Sequence, residues 1–417
     1  MSKPDVFLSA YACEPGKGSE PGVGWKWTNG LARRVNLQVL TRESNRQVIE
    51  QAVAATAEGD PLRSVVFHFH DLPEPFLKAK RRGWLPTLAY YAVWQWAVAR
   101  RFGTQADSAD VVHHLTFCTL LCPGFWKLKR AAFVLGPVGA PLVNPHYFPL
   151  FGRRIWLQRV RGWILNHFLH VPWLRRLLRS AAAVVPANSE TLGLLASQGL
   201  LSEDVMLDTG TPDSRANPRH HSPQGKIRLL YAGRLERRKG LELALRALAK
   251  VSASSKCDWT FDILGSGPDE LRLKEMTLQL NIAPRVAFHG TIPQEELMER
   301  FDDADAFLFT SVRDTSGGVN LEAMAHGLPV ICIAHQGVGD ITDDTCAARV
   351  NPGPIAETID GLAAAVVRLA ETPGLRQEMS LAASKRALDD FSWDDKFERM
   401  CVHYLNAIEK SADQKPS

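Results

Sequence analysis

The sequence predicts an α/β chain: two Rossmann-like domains, each a parallel β/α/β sheet, facing a central cleft. Three observations carry that expectation. At 417 residues the chain exceeds what one ordinary hydrophobic core serves and suits two. Short apolar runs alternate with helix-period segments in both halves, the pattern of parallel sheets covered by helices. Between the halves, residues 210–224 carry Pro212, Pro218 and Pro223 with little apolar content, so a boundary is expected there.

Composition bounds the class. Hydrophobic residues make up 45% and charged residues 23% of the chain, the balance of a globular protein. The opening Met-Ser-Lys-Pro-Asp leads straight into a strand pattern, without the apolar core of a signal peptide. No apolar run approaches the ~20 residues of a membrane span. A cytoplasmic protein is expected. Its seven cysteines are scattered without a CxxC pair, which favours small core residues in a reducing compartment over disulfides or zinc ligands. The net charge of +4 hides an uneven distribution. Between Asp110 and Glu190 there is no acidic residue, while ten lysines and arginines fall in that interval.

In the first half, strands are predicted over 5–12, 37–41, 65–70, 110–117, 132–139 and 182–186, with 205–208 leading into the linker. The loop from Glu14 to Trp25 is dense in glycine and proline and precedes a helix through Leu31. That is where Rossmann-like domains receive phosphate, but the spacing lacks G-x-G-x-x-G, so an NAD site is not indicated. Trp25 and Trp27 read as core residues of that helix. His113 and His114 end a strand and point to opposite sides, so at most one can face a site there.

Two segments break the βα rhythm. Residues 76–102 carry Lys78, Lys80, Arg81, Arg82, Arg100 and Arg101 around Trp84, Tyr90, Tyr91, Trp94 and Trp96. Residues 151–179 repeat that chemistry and, if helical, place Trp156, Val160 and Trp163 on one stripe and Arg154, Gln158 and Arg161 on another. Cations beside amphipathic rings suit an anionic membrane surface. Ordinary helices packed on a sheet are the plain alternative. A nucleic-acid surface is a third, which no RNP-like or zinc-finger pattern supports, so no nucleic acid is expected.

The second half opens with a strand at 227–231 and the turn Ala232-Gly-Arg-Leu-Glu-Arg-Arg-Lys-Gly240. Gly233 allows a tight strand exit, and Arg234 and Lys239 can both reach a diphosphate from one loop, with Arg237 and Arg238 as surface charges. Further strands and turns follow at 261–269 and 286–293. Asp303-Ala-Asp305 resembles the D-x-D by which metal-dependent transferases of a different fold hold manganese. Here it joins a helix end to a strand start, so a structural role and no metal are expected. Residues 304–334 then give strand, glycine-containing loop, helix and strand. Gly317 and Gly318 let the backbone approach a ligand, the amides of the following helix suit an anion, and Asp314 and Glu322 flank the site. Helices are predicted near 355–371 and 375–388, a last helix from Trp393 to about residue 408, and a frayed tail over 411–417.

Asp314, seven intervening residues, Glu322, then Ala-Met-Ala-His-Gly-Leu-Pro-Val resemble the carboxylate-x7-Glu signature of the retaining, nucleotide-sugar-dependent glycosyltransferases of family 4, of the bacterial surface and exopolysaccharide type. The family usually has Glu at the first position, and Asp314 is one methylene shorter. The resemblance implies the GT-B architecture: residues 1–210 as acceptor-binding domain, 211–224 as linker, 225–392 as nucleotide-sugar domain, and 393–417 as a helix crossing back plus tail. It implies a nucleotide-sugar donor, UDP- or GDP-linked, and a glycan or lipid-linked acceptor, with no cofactor. Arg234 and Lys239 would clamp the diphosphate with Ser316 and the amides of Gly317 and Gly318, in place of a divalent ion. Glu322 would take the ribose hydroxyls and Asp314 those of the sugar. Glu20 and Gly22 in the first loop, Gly233, and Thr291 near the base complete the donor set. A histidine near the transferred sugar is common in the family, and by position His114 is preferred to His113. A nucleotide-sugar epimerase on the same scaffold and a non-catalytic membrane-associated binding protein are the alternatives.

Overall fold

The computed structural model describes residues 3–80, 84–117, 119–140, 142–168, 170–200, 202–211 and 222–413. Among these residues the strands form two six-stranded parallel sheets, the fold class the sequence predicts. The first holds β1 (Asp5–Ser9), β2 (Asn36–Thr41), β3 (Val66–Phe69), β4 (Val111–His114), β5 (Ala132–Val138) and β6 (Ala183–Pro186) in the order β3-β2-β1-β4-β5-β6. The second holds β7 (Lys226–Ala232), β8 (Asp258–Leu264), β9 (Val286–Gly290), β10 (Ala306–Phe309), β11 (Val330–Ile333) and β12 (Ala347–Val350), in the order β12-β11-β10-β7-β8-β9. Read from its other edge, the second order repeats the first.

Strand burial explains the order. Every residue of β4 and β10 is buried, because helices cover both faces at a sheet's centre. Pairs such as Ser9 with His114 and Phe307 with Leu230 put the point where strand order reverses between β1 and β4 and between β7 and β10. Loops leaving the carboxyl ends there splay apart and open a crevice. Most predicted strands differ only at their ends. The sequence gives no sign of β12, whose Ala-Ala-Arg-Val carries little β signal.

The chain leaves the first sheet beside the point where it returns to it. Thr211 N–H donates to the Phe391 carbonyl at 2.9 Å, while residues 212–221 of the expected linker lie outside the described residues. On the far side of that gap, Ser222 N–H and Arg228 N–H each donate to Asp305 at 2.8 Å. Asp305 is fully buried, and its carboxylate anchors the start of β7; this is the local role of the D-x-D. The last helix, Trp393–Asp413, lies on the first sheet. Trp27 is fully buried there, edge-on to Trp393 at 5.9 Å and Phe397 at 5.4 Å. Bonds between the lobes run from Tyr147 Oη to Thr358 Oγ1 at 3.0 Å, Asn188 Nδ2 to the Thr315 carbonyl at 2.8 Å, and Ser189 N–H to Asp340 at 2.7 Å.

The two basic-aromatic segments part company. In the helix Trp84–Ala106, Tyr90, Tyr91, Trp94 and Val98 are buried in the first lobe, so one face of this helix is core, while Val93 and Trp96 on it are exposed. Arg81 and Arg82 lie outside the described residues. On the helix Ile155–Phe168 the stripe does face solvent: Trp156 is 58%, Val160 43% and Trp163 61% exposed. Among the described residues no helix is long and apolar enough to cross a membrane. Cys13, Cys122, Cys257, Cys332 and Cys346 are free and buried. Cys118 and residues 414–417 fall outside the described residues.

Candidate functional site

The crevice between the lobes has a volume of about 910 Å³. Its wall includes Glu20 from the first lobe, with Gly233, Arg234, Lys239, Asp314, Ser316, Gly317, Gly318 and Glu322 from the second. Two loops of the second sheet build most of it. After β7, the turn at Arg237–Lys239 closes through Gly240 in the left-handed region (φ 65). A Cβ there would overlap the Thr310 carbonyl, so glycine is what lets the Lys239 turn press against the end of β10. Val312 N–H donates to the Arg238 carbonyl at 2.9 Å and Thr310 Oγ1 to the Gly240 carbonyl at 3.0 Å, locking the loops edge to edge.

That seating brings Lys239 Nζ onto the Asp314 carboxylate as a hydrogen-bonded ion pair. Burial pushes the Asp314 carboxyl up, but the charges of Lys239 and Arg238 and the hydrogen bonds from Lys239 and the Gly317 amide outweigh it, leaving it below the usual carboxylate range. Asp314 N–H donates to Gln336 Oε1 at 2.6 Å, which fixes the backbone of the loop. Gln336 Nε2 reaches the Leu142 carbonyl at 2.5 Å and its N–H the Glu190 carboxylate at 3.0 Å, so one side chain ties the site to both lobes. Arg234 is exposed into the crevice.

The glycine-containing turn is equally constrained. Gly317 adopts φ 64, its carbonyl accepts from Asn320 Nδ2 at 2.7 Å, and Ser316 Oγ donates to Asp208. Burial pushes the Glu322 carboxyl up to about 7. Burial and the charge of Asp208 push Glu20 up to about 7, against the pull of the Phe117 N–H.

Three sequence candidates stand elsewhere. His114 is buried, 4% exposed, and absent from the crevice wall. Tyr91 donates its hydroxyl to the Thr116 carbonyl and so accepts from His114 Nε2 at 2.9 Å, and burial pushes the imidazole down to about 3, so it is neutral. His113 is a structural residue, 2.6 Å from Tyr404 Oη and 2.5 Å from the Gly136 carbonyl. Gly22 lies in the helix Ser19–Ala32, where a Cβ would overlap the Lys17 carbonyl; it serves the folding back of the first loop. Thr291 pairs with Ser266, Oγ1 to Oγ at 2.8 Å, outside the wall.

The wall also contains residues the sequence reading did not select: Arg161, Asp208, Thr209, Glu236, Arg238 and Arg313. Arg238, expected as a surface charge, instead lines the crevice and contacts Glu236 through two nitrogens at 2.7 and 2.8 Å. Arg237 does turn away, to the Leu150 carbonyl at 3.1 Å and Asp269 at 3.0 Å. Nothing in Arg-Arg-Lys tells which of three adjacent cations faces inward. Among the described residues no group of three or more His, Cys, Asp or Glu side chains comes together as a metal site.

Residues 213–386 match the family of group 1 glycosyl transferases. Among curated proteins, WcaL of Escherichia coli (strain K12), whose name reads "Putative colanic acid biosynthesis glycosyltransferase", is 29% identical over 188 residues. The match spans 43% of this chain and 46% of WcaL, so the chain spans about half the length of the first curated relatives it matches. Among solved structures, sucrose-phosphate synthase from Thermosynechococcus elongatus superposes with a TM-score of 0.65 at 16% identity, over 97% of this chain and 99% of that one. Anabaena HepE, solved in complex with UDP, superposes with a TM-score of 0.58 at 16% identity, over 95% of this chain and 98% of that one. The two equivalent parallel sheets, the crevice at their switch points and these superpositions give one conclusion: the fold is GT-B, with the match to group 1 glycosyl transferases confined to residues 213–386.

Proposed function

We propose that the protein is a retaining glycosyltransferase of family-4 type. It would move a hexose-type sugar from a UDP- or GDP-linked donor to a glycan or lipid-linked acceptor in polysaccharide or glycolipid biosynthesis. The observation that carries this reading is the convergence of Arg234, Lys239 and the Ser316–Gly318 turn in one crevice between two Rossmann-like lobes. The matched domain and WcaL's name support the transferase class, and HepE's UDP complex supports a nucleotide donor.

On this reading the diphosphate replaces the Asp314 carboxylate as the partner of Lys239, with Arg234 beside it. Charge developing on the diphosphate as the anomeric C–O bond breaks is then neutralised by two fixed cations and the turn's amides, without a divalent ion or cofactor. Asp314, released, accepts hydrogen bonds from the sugar hydroxyls. Glu322, when ionised, accepts from the ribose, and Gly233 leaves room for the nucleotide beside Arg234. Glu20 reaches the donor from across the crevice. Buried and absent from the crevice wall, His114 receives no role in catalysis here.

The exposed Trp156, Val160 and Trp163 stripe, next to Arg153, Arg154 and Arg159, gives the first lobe a surface suited to anionic lipid on the inner face of a membrane. Incubating the purified protein with UDP- and GDP-sugars, with and without a membrane extract, tests the reading. Nucleoside diphosphate released only when extract supplies an acceptor is expected. Sugar interconversion without release would point to an epimerase, and inertness in every arm to a binding protein.

A further inference from the structure

The loop after β5, the helix Ile155–Phe168 and the start of the helix Ser189–Ser197 meet the loop after β11 around a second cavity of about 500 Å³. Among the described residues none lines both this cavity and the crevice. We propose that the cavity binds a neutral pyranose unit of a glycan acceptor, with Glu190 and His335 accepting hydrogen bonds from its hydroxyls and Phe148 beside its apolar face; that the ligand is an acceptor rests on the transferase reading above.

His335 sets the polar end of the cavity. Its side chain is 5% exposed and lines the wall, and Nε2 donates to the Ser311 carbonyl at 2.8 Å, so in the neutral ring Nδ1 is an acceptor. Nδ1 stands 3.8 Å from Glu190 Oε1, too far for a hydrogen bond, and has no other partner among the described residues. Glu190 Oε1 accepts the Gln336 N–H at 3.0 Å, while Oε2 accepts from none of the described residues. Two acceptors side by side suit a ligand with adjacent O–H donors, as the vicinal hydroxyls of a sugar ring are. A hydrocarbon chain there would leave both without donors. Asn144 adds a donor, because its Oδ1 is taken by the His146 N–H at 3.1 Å and its Nδ2 faces no partner among the described residues. Leu142, Val143 and Phe148 form an apolar wall for the C–H face of the ring, and the exposed Arg159 and Trp163 form the rim.

Gln336 joins the cavity to the donor site. It follows His335, donates its N–H to Glu190 and its Nε2 to the Leu142 carbonyl, and takes the Asp314 N–H on Oε1. One residue thus touches the cavity wall on one side and the Asp314 loop on the other. A glycan with one unit seated in the cavity directs its next unit toward Asp314, which holds the transferred sugar on the reading above. Trp163 at the rim belongs to the exposed stripe read as facing lipid, so a lipid carrier on the same acceptor stays outside while its glycan enters.

Saturation-transfer NMR on the full chain tests this. The probes are methyl glycosides of glucose, galactose and mannose, with farnesol as the hydrocarbon comparison, each with and without saturating UDP or GDP. At least one glycoside is expected to bind beside the nucleotide. Gly162, inside the helix Ile155–Phe168, lines the cavity, and a Cβ on it would meet nothing within 4 Å, so Gly162→Leu fills the space without a clash and raises helix propensity. It should abolish glycoside binding while nucleotide affinity and melting temperature hold. Glu190→Gln keeps an acceptor for the Gln336 N–H and should weaken glycoside binding about tenfold. Glycosides that ignore the wild-type protein, or bind either variant as tightly as wild type, overturn the proposal. So does glycoside binding that survives Gly162→Leu but is lost in Asp314→Asn, which would put the sugar in the crevice. Farnesol binding that Gly162→Leu removes, with the glycosides ignored, also overturns it and makes the cavity a hydrocarbon site. Glycoside binding lost in Gly162→Leu, from a wild-type protein that takes neither UDP nor GDP, would overturn the donor reading while leaving this sugar site in place.

Discussion

The Lys239 ammonium is paired with the Asp314 carboxylate, from a loop 75 residues further along the chain, and both face the crevice between the lobes. The pair keeps a cation and an anion in a partly buried site where either alone would be costly. On the proposed transferase reading it would also set the order of events on donor binding, because a diphosphate would compete with Asp314 for Lys239.

Asp314→Asn tests that pairing through pH. The folded carboxyl sits below its unfolded value, so its stabilising effect is complete above the unfolded pKa near 4 and is lost as pH falls through the folded value. Wild-type protein should therefore lose melting temperature on acidification below about pH 4 more steeply than Asp314→Asn. At pH 7 the variant, with Lys239 left half-buried and unneutralised, should be less stable by roughly 1–3 kcal/mol in denaturant melts. A variant as stable as wild type at pH 7 would remove the pair from the stability of the site.

Glu322 behaves in the opposite sense. Burial raises its folded pKa to about 7, so the folded state holds the proton more tightly, and stability falls as pH rises from the unfolded value near 4.3 to 7. Glu322→Gln should stabilise the protein at pH 8, by roughly 3 kcal/mol as an upper bound, while weakening donor binding. Donor affinity in wild type should drop below about pH 7, as the carboxylate that accepts ribose hydroxyls becomes protonated. A pH-independent affinity, or one unchanged in Glu322→Gln, would take the ribose role from this residue.

Arg234 is exposed and pairs with no carboxylate among the described residues, so Arg234→Ala should leave the melting temperature close to wild type. Turnover should fall about 10²–10³-fold, the usual loss when one electrostatic donor to a developing anion is removed. Steady-state rates and a thermal melt on the same preparation separate the two effects, and a fully active variant would take Arg234 out of the clamp.

The stripe on the helix Ile155–Phe168 makes a further prediction. Trp156→Ala with Trp163→Ala should abolish flotation with anionic vesicles at low salt while leaving soluble-donor binding intact. Wild-type protein that never floats would end the membrane assignment.

The sequence was most readable where one residue's chemistry suffices. The segment from β10 through the Gly317 turn to β11 is fully buried strand, left-handed glycine and short helix, and each part has a local signature. Gly240 likewise announces a turn. What could not be read locally were contacts closed by the fold. Asp208 reaches Ser316 across 108 positions, and Gln336 joins Asp314 to Leu142; neither has a spacing that betrays it. Tyr90, Tyr91 and Trp94 have an interfacial composition, yet which face of their helix meets the sheet is a tertiary fact. The opposite outcome at Trp156 and Trp163 shows that composition alone does not distinguish the two cases. A strand-end position makes His114 a candidate, yet the fold buries it in a hydrogen bond with Tyr91 and leaves it out of the crevice wall.

The most direct test is a titration of UDP and GDP into the wild-type protein and into Arg234→Ala/Lys239→Ala, in EDTA. The predicted result is saturable binding of at least one nucleotide by the wild type, lost in the double variant while its fold persists. Binding of equal strength in both proteins would contradict a diphosphate held by these two cations.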